Sequence, residues 1–190
     1  MCEALSGHGD TIQDSHQVIP LIKHGRARLL ETEIPPFRRA IENDVAAIMV
    51  GHLSVPELQS PAEVQLGLPA SMSREIVDFL RKGLGFKGAV LVDDMEMGAV
   101  TTSGTVGDAV VRALNAGADL LPVCHSDSLQ NEAIDAIYRA VKAGEVSAER
   151  FEGAVKSVET LLSWASPPAR DLTIVGSPGH LEIVKSILQR

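Results

Sequence analysis

The sequence has no cluster of lysine or arginine. Its 17 basic residues against 25 acidic ones leave a formal charge of −8. A phosphate-binding surface needs a basic stripe, so neither a nucleic acid nor an anionic membrane is an expected partner. Cysteine is scarce as well: Cys2 and Cys124 stand far apart without a CxxC spacing. That excludes a disulfide framework and a zinc knuckle, and the expected setting is a reducing cytoplasm. No run approaches the roughly 18 apolar residues of a membrane span, and residues 1–10 lack the basic and apolar regions of a signal peptide. The chain is therefore expected to be neither exported nor anchored. There is no Gly-x-Ser-x-Gly nucleophile elbow and no glycine-rich phosphate loop. Short repeats and low-complexity tracts are missing too.

What remains is 190 residues, 45% hydrophobic and 3% aromatic, which describes one globular domain. A complete eight-unit α/β barrel needs about 250 residues, so the chain is short for one. Three apolar runs, 45–50, 88–92 and 118–123, are rich in Val, Ile or Leu and too short for helices. They read as buried parallel strands. Segments of helical period lie between them: Ile76, Val77 and Leu80 after Ser73, then Val106 to Leu114 ending at Gly117. Two more helices follow, one through Leu129, Ala133, Ile134, Ile137 and Val141, and one from Ser147 through Phe151, Ala154, Val155, Val158, Leu161 and Leu162. Pro35 and Pro36 open an earlier helix, and the only strand available before it is the stub at residues 2–6. The chain thus reads as opening inside a βα unit. Residues 166–169 form a linker to a tail with a strand-like stretch at 172–175 and a helix through Leu181, Val184, Ile187 and Leu188. The expected division is a main body at 1–165 and a tail at 166–190.

Chemistry concentrates in two stretches. Residues 7–16 hold His8, Asp10, Asp14 and His16 with Gly7 and Gly9. Asp14 and His16, two apart, meet if the loop folds back, and an Asp–His pair gives an imidazole able to give and take protons near neutral pH. The same residues are open to two other readings, a solvated turn capped by Asp14 and a metal site drawn from one loop. The second stretch is Leu91-Val92-Asp93-Asp94-Met95-Glu96-Met97, an apolar strand running into adjacent carboxylates. In parallel α/β sheets the carboxyl ends of strands carry the active site. With period two, Ala89, Leu91 and Asp93 share one face, which leaves Asp94 to cap the following turn. His52 and Cys124-His125 end the neighbouring strands, and Met72, Met95 and Met97 read as fillers of core gaps.

Taken together, Gly7 to Thr11 with Asp14-Ser15-His16, Pro36-Phe37 with Ala40-Ile41, Ile48-Met49 with His52, Leu84 to Gly88, Asp93-Asp94-Met95 with Met97, and Ala116 to Asp119 resemble the bacterial β-N-acetylhexosaminidases of glycoside hydrolase family 3. The likeness runs over about residues 5 to 164. It implies a partial (β/α)8 TIM barrel, about the last three to four βα units, with a short C-terminal αβ tail. It also implies retaining hydrolysis of terminal β-linked N-acetylglucosamine, in muropeptides of the cell wall, with no cofactor and no metal. Asp93 matches the nucleophile, His16 the acid–base group and Asp14 the residue that orients it. His52, Met97 and His8 match substrate-binding positions. Glu3 and Ala4 stand where the family carries a Lys-His pair on the sugar, Ser6 replaces a proline, and Val92 a serine.

The first strands of the barrel have no counterpart here, so low activity of the chain alone is expected. Its open barrel edges are expected to support self-association. Two alternatives accompany this reading: a non-catalytic sugar-binding or pairing half-barrel, and a phosphorylase that uses phosphate in place of water.

Overall fold

The computed structural model describes residues 2–5, 19–101, 104–165 and 177–188. His8, Asp14 and His16, and the strand-like stretch at 172–175, lie outside these residues.

Strands β1 (Cys2–Leu5), β2 (Ala47–Val50) and β3 (Ala89–Val92) form a parallel sheet in that order. In β2 and β3 every residue is apolar and buried, the pattern of parallel strands covered on both faces. The expected strand at 118–123 shrinks to one parallel bridge, Leu91 with Leu120. It still runs beside β3: the Val92 N–H donates to the Leu120 carbonyl at 3.2 Å, and the Met95 N–H to the Pro122 carbonyl at 2.9 Å. Pro122 has no N–H to give, which interrupts the ladder.

Helices fill each crossover. Between β1 and β2 lie α1 (Arg26–Arg28) and α2 (Pro35–Glu42); between β2 and β3 lie α3 (Pro61–Gln65) and α4 (Arg74–Asp78). Beyond β3 come α5 (Gly98–Thr101) and α6 (Val106–Ala116), then α7 (Asp127–Ala143), α8 (Ala148–Ala165) and α9 (Pro178–Leu188). Ser73 caps α4 by accepting from the Ile76 N–H, and Thr105 caps α6 by accepting from the Asp108 N–H. α6 stops at Gly117, whose φ of 116° suits a residue without Cβ.

The two faces of the sheet meet different partners because side chains alternate along a strand. Ile48, Val50, Val90 and Val92 join one core with Phe37 of α2, Ile76 of α4, Leu80 in the helical turn Phe79–Gly83 that follows, and Val110 and Ala113 of α6. Ala47, Met49, Ala89 and Leu91 form a separate cluster, against which Leu161 of α8 packs. The crossover helices therefore cover one face and leave the other to α8. A third cluster joins Val111, Leu114, Ala140, Val146 and Ala154 where α7 and α8 meet α6. The expected stripe of α7 is narrower than read: Ala133 and Ala140 are buried, but Ile134 is 65% exposed. One step of 100° turns Ile134 away from α6. In α8, Ala154 is buried while Phe151, Val155 and Leu162 are exposed.

The amino end of the sheet is tied by one buried charge. The Asp119 side chain, 1% exposed, accepts from Arg81 Nη2 at 2.7 Å and Arg150 Nη2 at 2.8 Å, and from the Val90 N–H at 2.9 Å. Arg81 also donates to the Gly88 carbonyl and Arg150 to the Leu114 carbonyl, so the helical turn after α4, β3 and α8 are joined through a single carboxylate. A cavity of about 590 Å3 lies at this same end, between α8 and the segments leading into β2 and β3, with Val45, Lys87, Lys156 and Trp164 among its walls.

Candidate active site

The opposite, carboxyl end gathers the ionisable side chains. Asp93 is the first residue after β3 and is half-buried. Its Oδ1 accepts the N–H of Asp94 at 2.8 Å. Oδ2 takes no hydrogen bond among the described residues. By alternation, Asp93 continues the face of Ala89 and Leu91, away from the crossover helices.

Asp94 is used differently. Its Oδ1 accepts from the Glu96 N–H at 3.1 Å, closing the turn as expected, and from the Cys124 N–H at 3.3 Å. Its Oδ2 lies 2.9 Å from Nδ1 of His125. Its main-chain carbonyl accepts from Nε2 of His52 at 3.1 Å. Glu96 completes the joint, with Oε1 accepting the N–H groups of His125 at 2.7 Å and Ser126 at 3.0 Å. The turn after β3 is thereby fastened to the segment that leads into α7.

His52 follows β2 at the expected end of the sheet but is fully buried. A carbonyl can only accept, so Nε2 carries the proton and Nδ1 accepts from the Ser71 hydroxyl at 2.7 Å. Burial holds this imidazole below its ordinary 6.5, against the upward pull of the Asp94 carbonyl and the two nearby carboxylates. Both nitrogens are occupied within the protein, so in this structure His52 offers a sugar no polar atom; it holds the turn that presents Asp93. Met97 is buried too, and its carbonyl accepts from the Val100 N–H at 2.8 Å, at the start of α5. Burial first, then the Asp94 carboxylate, pushes the Cys124 thiol up from its ordinary 9.0.

The remaining expected residues, His8, Asp14 and His16, fall in the stretch 6–18 outside the description. Its described flanks both reach the carboxyl end of β2. Leu5 pairs with Val50 in the sheet, and the Pro20 carbonyl accepts from the Ser54 N–H at 2.8 Å. Ser71 and Glu96 were not anticipated as parts of the site. Ser71 lies 19 residues from His52 and no local pattern joins them. Glu96, by contrast, sits two residues past Asp94 in the acidic run already singled out.

Comparison with known proteins places the whole chain. Residues 5–161 match the glycosyl hydrolase family 3 N terminal domain. A β-hexosaminidase of Thiobacillus denitrificans is 35% identical over 129 residues, covering 67% of this chain and 34% of that protein. One of Actinobacillus succinogenes is 34% identical over 172 residues, covering 88% and 45%. The structure of a glycoside hydrolase family 3 β-N-acetylglucosaminidase from Paenibacillus sp. superposes with a TM-score of 0.81 at 36% identity, over 89% of this chain and 32% of that one. The chain spans a third to a half of the length of these curated relatives. Its architecture is the TIM-barrel-like α/β fold of that domain. A match over residues 5–161, most of the length, makes this chain a member of glycosyl hydrolase family 3.

Proposed function

We propose that the chain carries the nucleophile and the acid–base pair of a retaining β-N-acetylhexosaminidase, built as the last three to four βα units of a (β/α)8 barrel at 1–165 with a tail at 166–190. The observation that carries this reading is Asp93, at the carboxyl end of β3 with Oδ2 free of hydrogen bonds among the described residues. The names of the relatives, β-hexosaminidase and β-N-acetylglucosaminidase, support it. So does the position of Leu5 and Pro20, which flank the segment bearing His8, Asp14 and His16 and lie beside the carboxyl end of β2.

The substrate is a terminal β-linked N-acetylglucosamine, as in a cytoplasmic muropeptide. Asp93 attacks the anomeric carbon while the bond to the leaving oxygen breaks and His16, oriented by Asp14, protonates that oxygen. His16 then takes a proton from water, which displaces Asp93 and releases the sugar with its configuration retained. His52 works through Asp94, fixing the turn behind the nucleophile, and the Met97 N–H closes that turn on the Asp94 carbonyl; His8 stays on the substrate side. Hydrolysis by the isolated chain is slow, because sugar contacts made elsewhere in a complete barrel are missing.

The test uses a nitrophenyl β-N-acetylglucosaminide and an activated fluoro-sugar that traps the glycosyl ester. Slow release by the native chain, lowered about a thousandfold or more in Asp93→Ala, and a peptide labelled at Asp93 are expected. Labelling at another carboxylate, or release indifferent to Asp93→Ala, would refute the assignment.

A further inference from the structure

We propose that Asp94, Glu96 and His125, whose side chains the hydrolysis above leaves unused, form a binding site for a zinc ion. One donor atom from each lies within 4.8 Å of the other two. The three come from two segments about 30 residues apart that are already locked together. Glu96 Oε1 accepts from the N–H groups of His125 and Ser126, and Asp94 Oδ1 from that of Cys124. That bonding holds the donors before any ion arrives. Glu96 Oε2 has no hydrogen bond among the described residues, and the His125 side chain is 75% exposed, so one ligand oxygen is uncommitted and solvent has access.

The donor set selects the ion. Two carboxylates balance a divalent charge, and an imidazole among the ligands favours zinc over magnesium or calcium, which prefer oxygen. The Asp94 Oδ2 to His125 Nδ1 contact of 2.9 Å carries a proton in the metal-free protein. On binding, that proton passes to solvent and both atoms turn lone pairs to the metal, at about 2.0–2.2 Å each. Water completes the coordination. The Cys124 thiol, within hydrogen-bonding reach of the Asp94 carboxylate, stands beside the site.

Zinc titration of the full chain against a chromogenic chelator tests the proposal without reference to hydrolysis. One equivalent is expected to bind. Affinity should fall at least about tenfold in His125→Ala and in Glu96→Gln. It should hold in a His8→Ala/His16→Ala double variant, which removes the other histidine-bearing segment. Because His125 is exposed, His125→Ala should keep the native circular dichroism, so loss of binding there reads as loss of a ligand. Equal affinity in native chain and His125→Ala, loss confined to the double variant, or equal competition by magnesium would each overturn the site and leave Asp94–His125 a simple ion pair.

Discussion

Adjacent carboxylates at the end of β3 serve different ends because alternation sends them to different sides of the strand. Asp93 follows Leu91 onto the face away from the crossover helices and keeps one oxygen without a hydrogen bond among the described residues, whereas Asp94 spends both oxygens and its carbonyl on its neighbours. The group behind both is His52, and its protonation links the turn to pH. In the folded chain its imidazole lies below the ordinary 6.5 because it is buried. Just below that pH the unfolded chain takes up a proton that the folded chain refuses, so stability is full above the ordinary value and falls as pH drops through it. Urea unfolding at about pH 7.5 and about pH 5.5 should show the loss. His52→Gln, which has no proton to take up there, should show a smaller one. Identical pH dependence in the two proteins would exclude His52 as the source.

Packing of whole elements turns on a few glycines. A Cβ at Gly88 would collide with the Ala46 carbonyl and the Phe86 ring, just where β3 begins beside β2. Gly88→Ala should therefore lower unfolding free energy by about 1–3 kcal/mol, read as a shifted urea midpoint with unchanged slope. Gly25→Ala, with nothing within 4 Å of the added atom, is the matched control and should leave the midpoint in place. The elements themselves were largely legible. β2 and β3 are bare apolar runs, and Pro35, Ser73, Gly117 and Gly144 mark helix ends by local chemistry that survives in the folded chain. The run at 118–123 was misread because its apolar composition hid the effect of Pro122 on pairing. α3 and α5, five and four residues long, are too short to display a period, and the capping box that opens α3, Ser60 with Glu63, shows in the folded chain. At the site, Asp93 was visible as a strand end. The embrace of His52 by Ser71 and Asp94 was not, since it is made by chain segments that meet only in the fold.

At the scale of the molecule, the described sheet has an unpaired outer edge on β1 and only a single bridge beyond β3. Such edges offer unsatisfied N–H and carbonyl groups to another chain. Sedimentation velocity should therefore show a species heavier than one chain that grows with concentration; one unchanging monomer peak would exclude association. The fold also keeps its two poles apart. Asp93 and its supports occupy one end of β3, while the Asp119 knot with Arg81 and Arg150 and the cavity under α8 occupy the other, some 13 Å away at about 3.3 Å per residue. An engineer seeking heat tolerance can thus work on the lower pole, filling the space around Gly153 and Ser157 with bulkier side chains, and leave turnover to be tuned separately above.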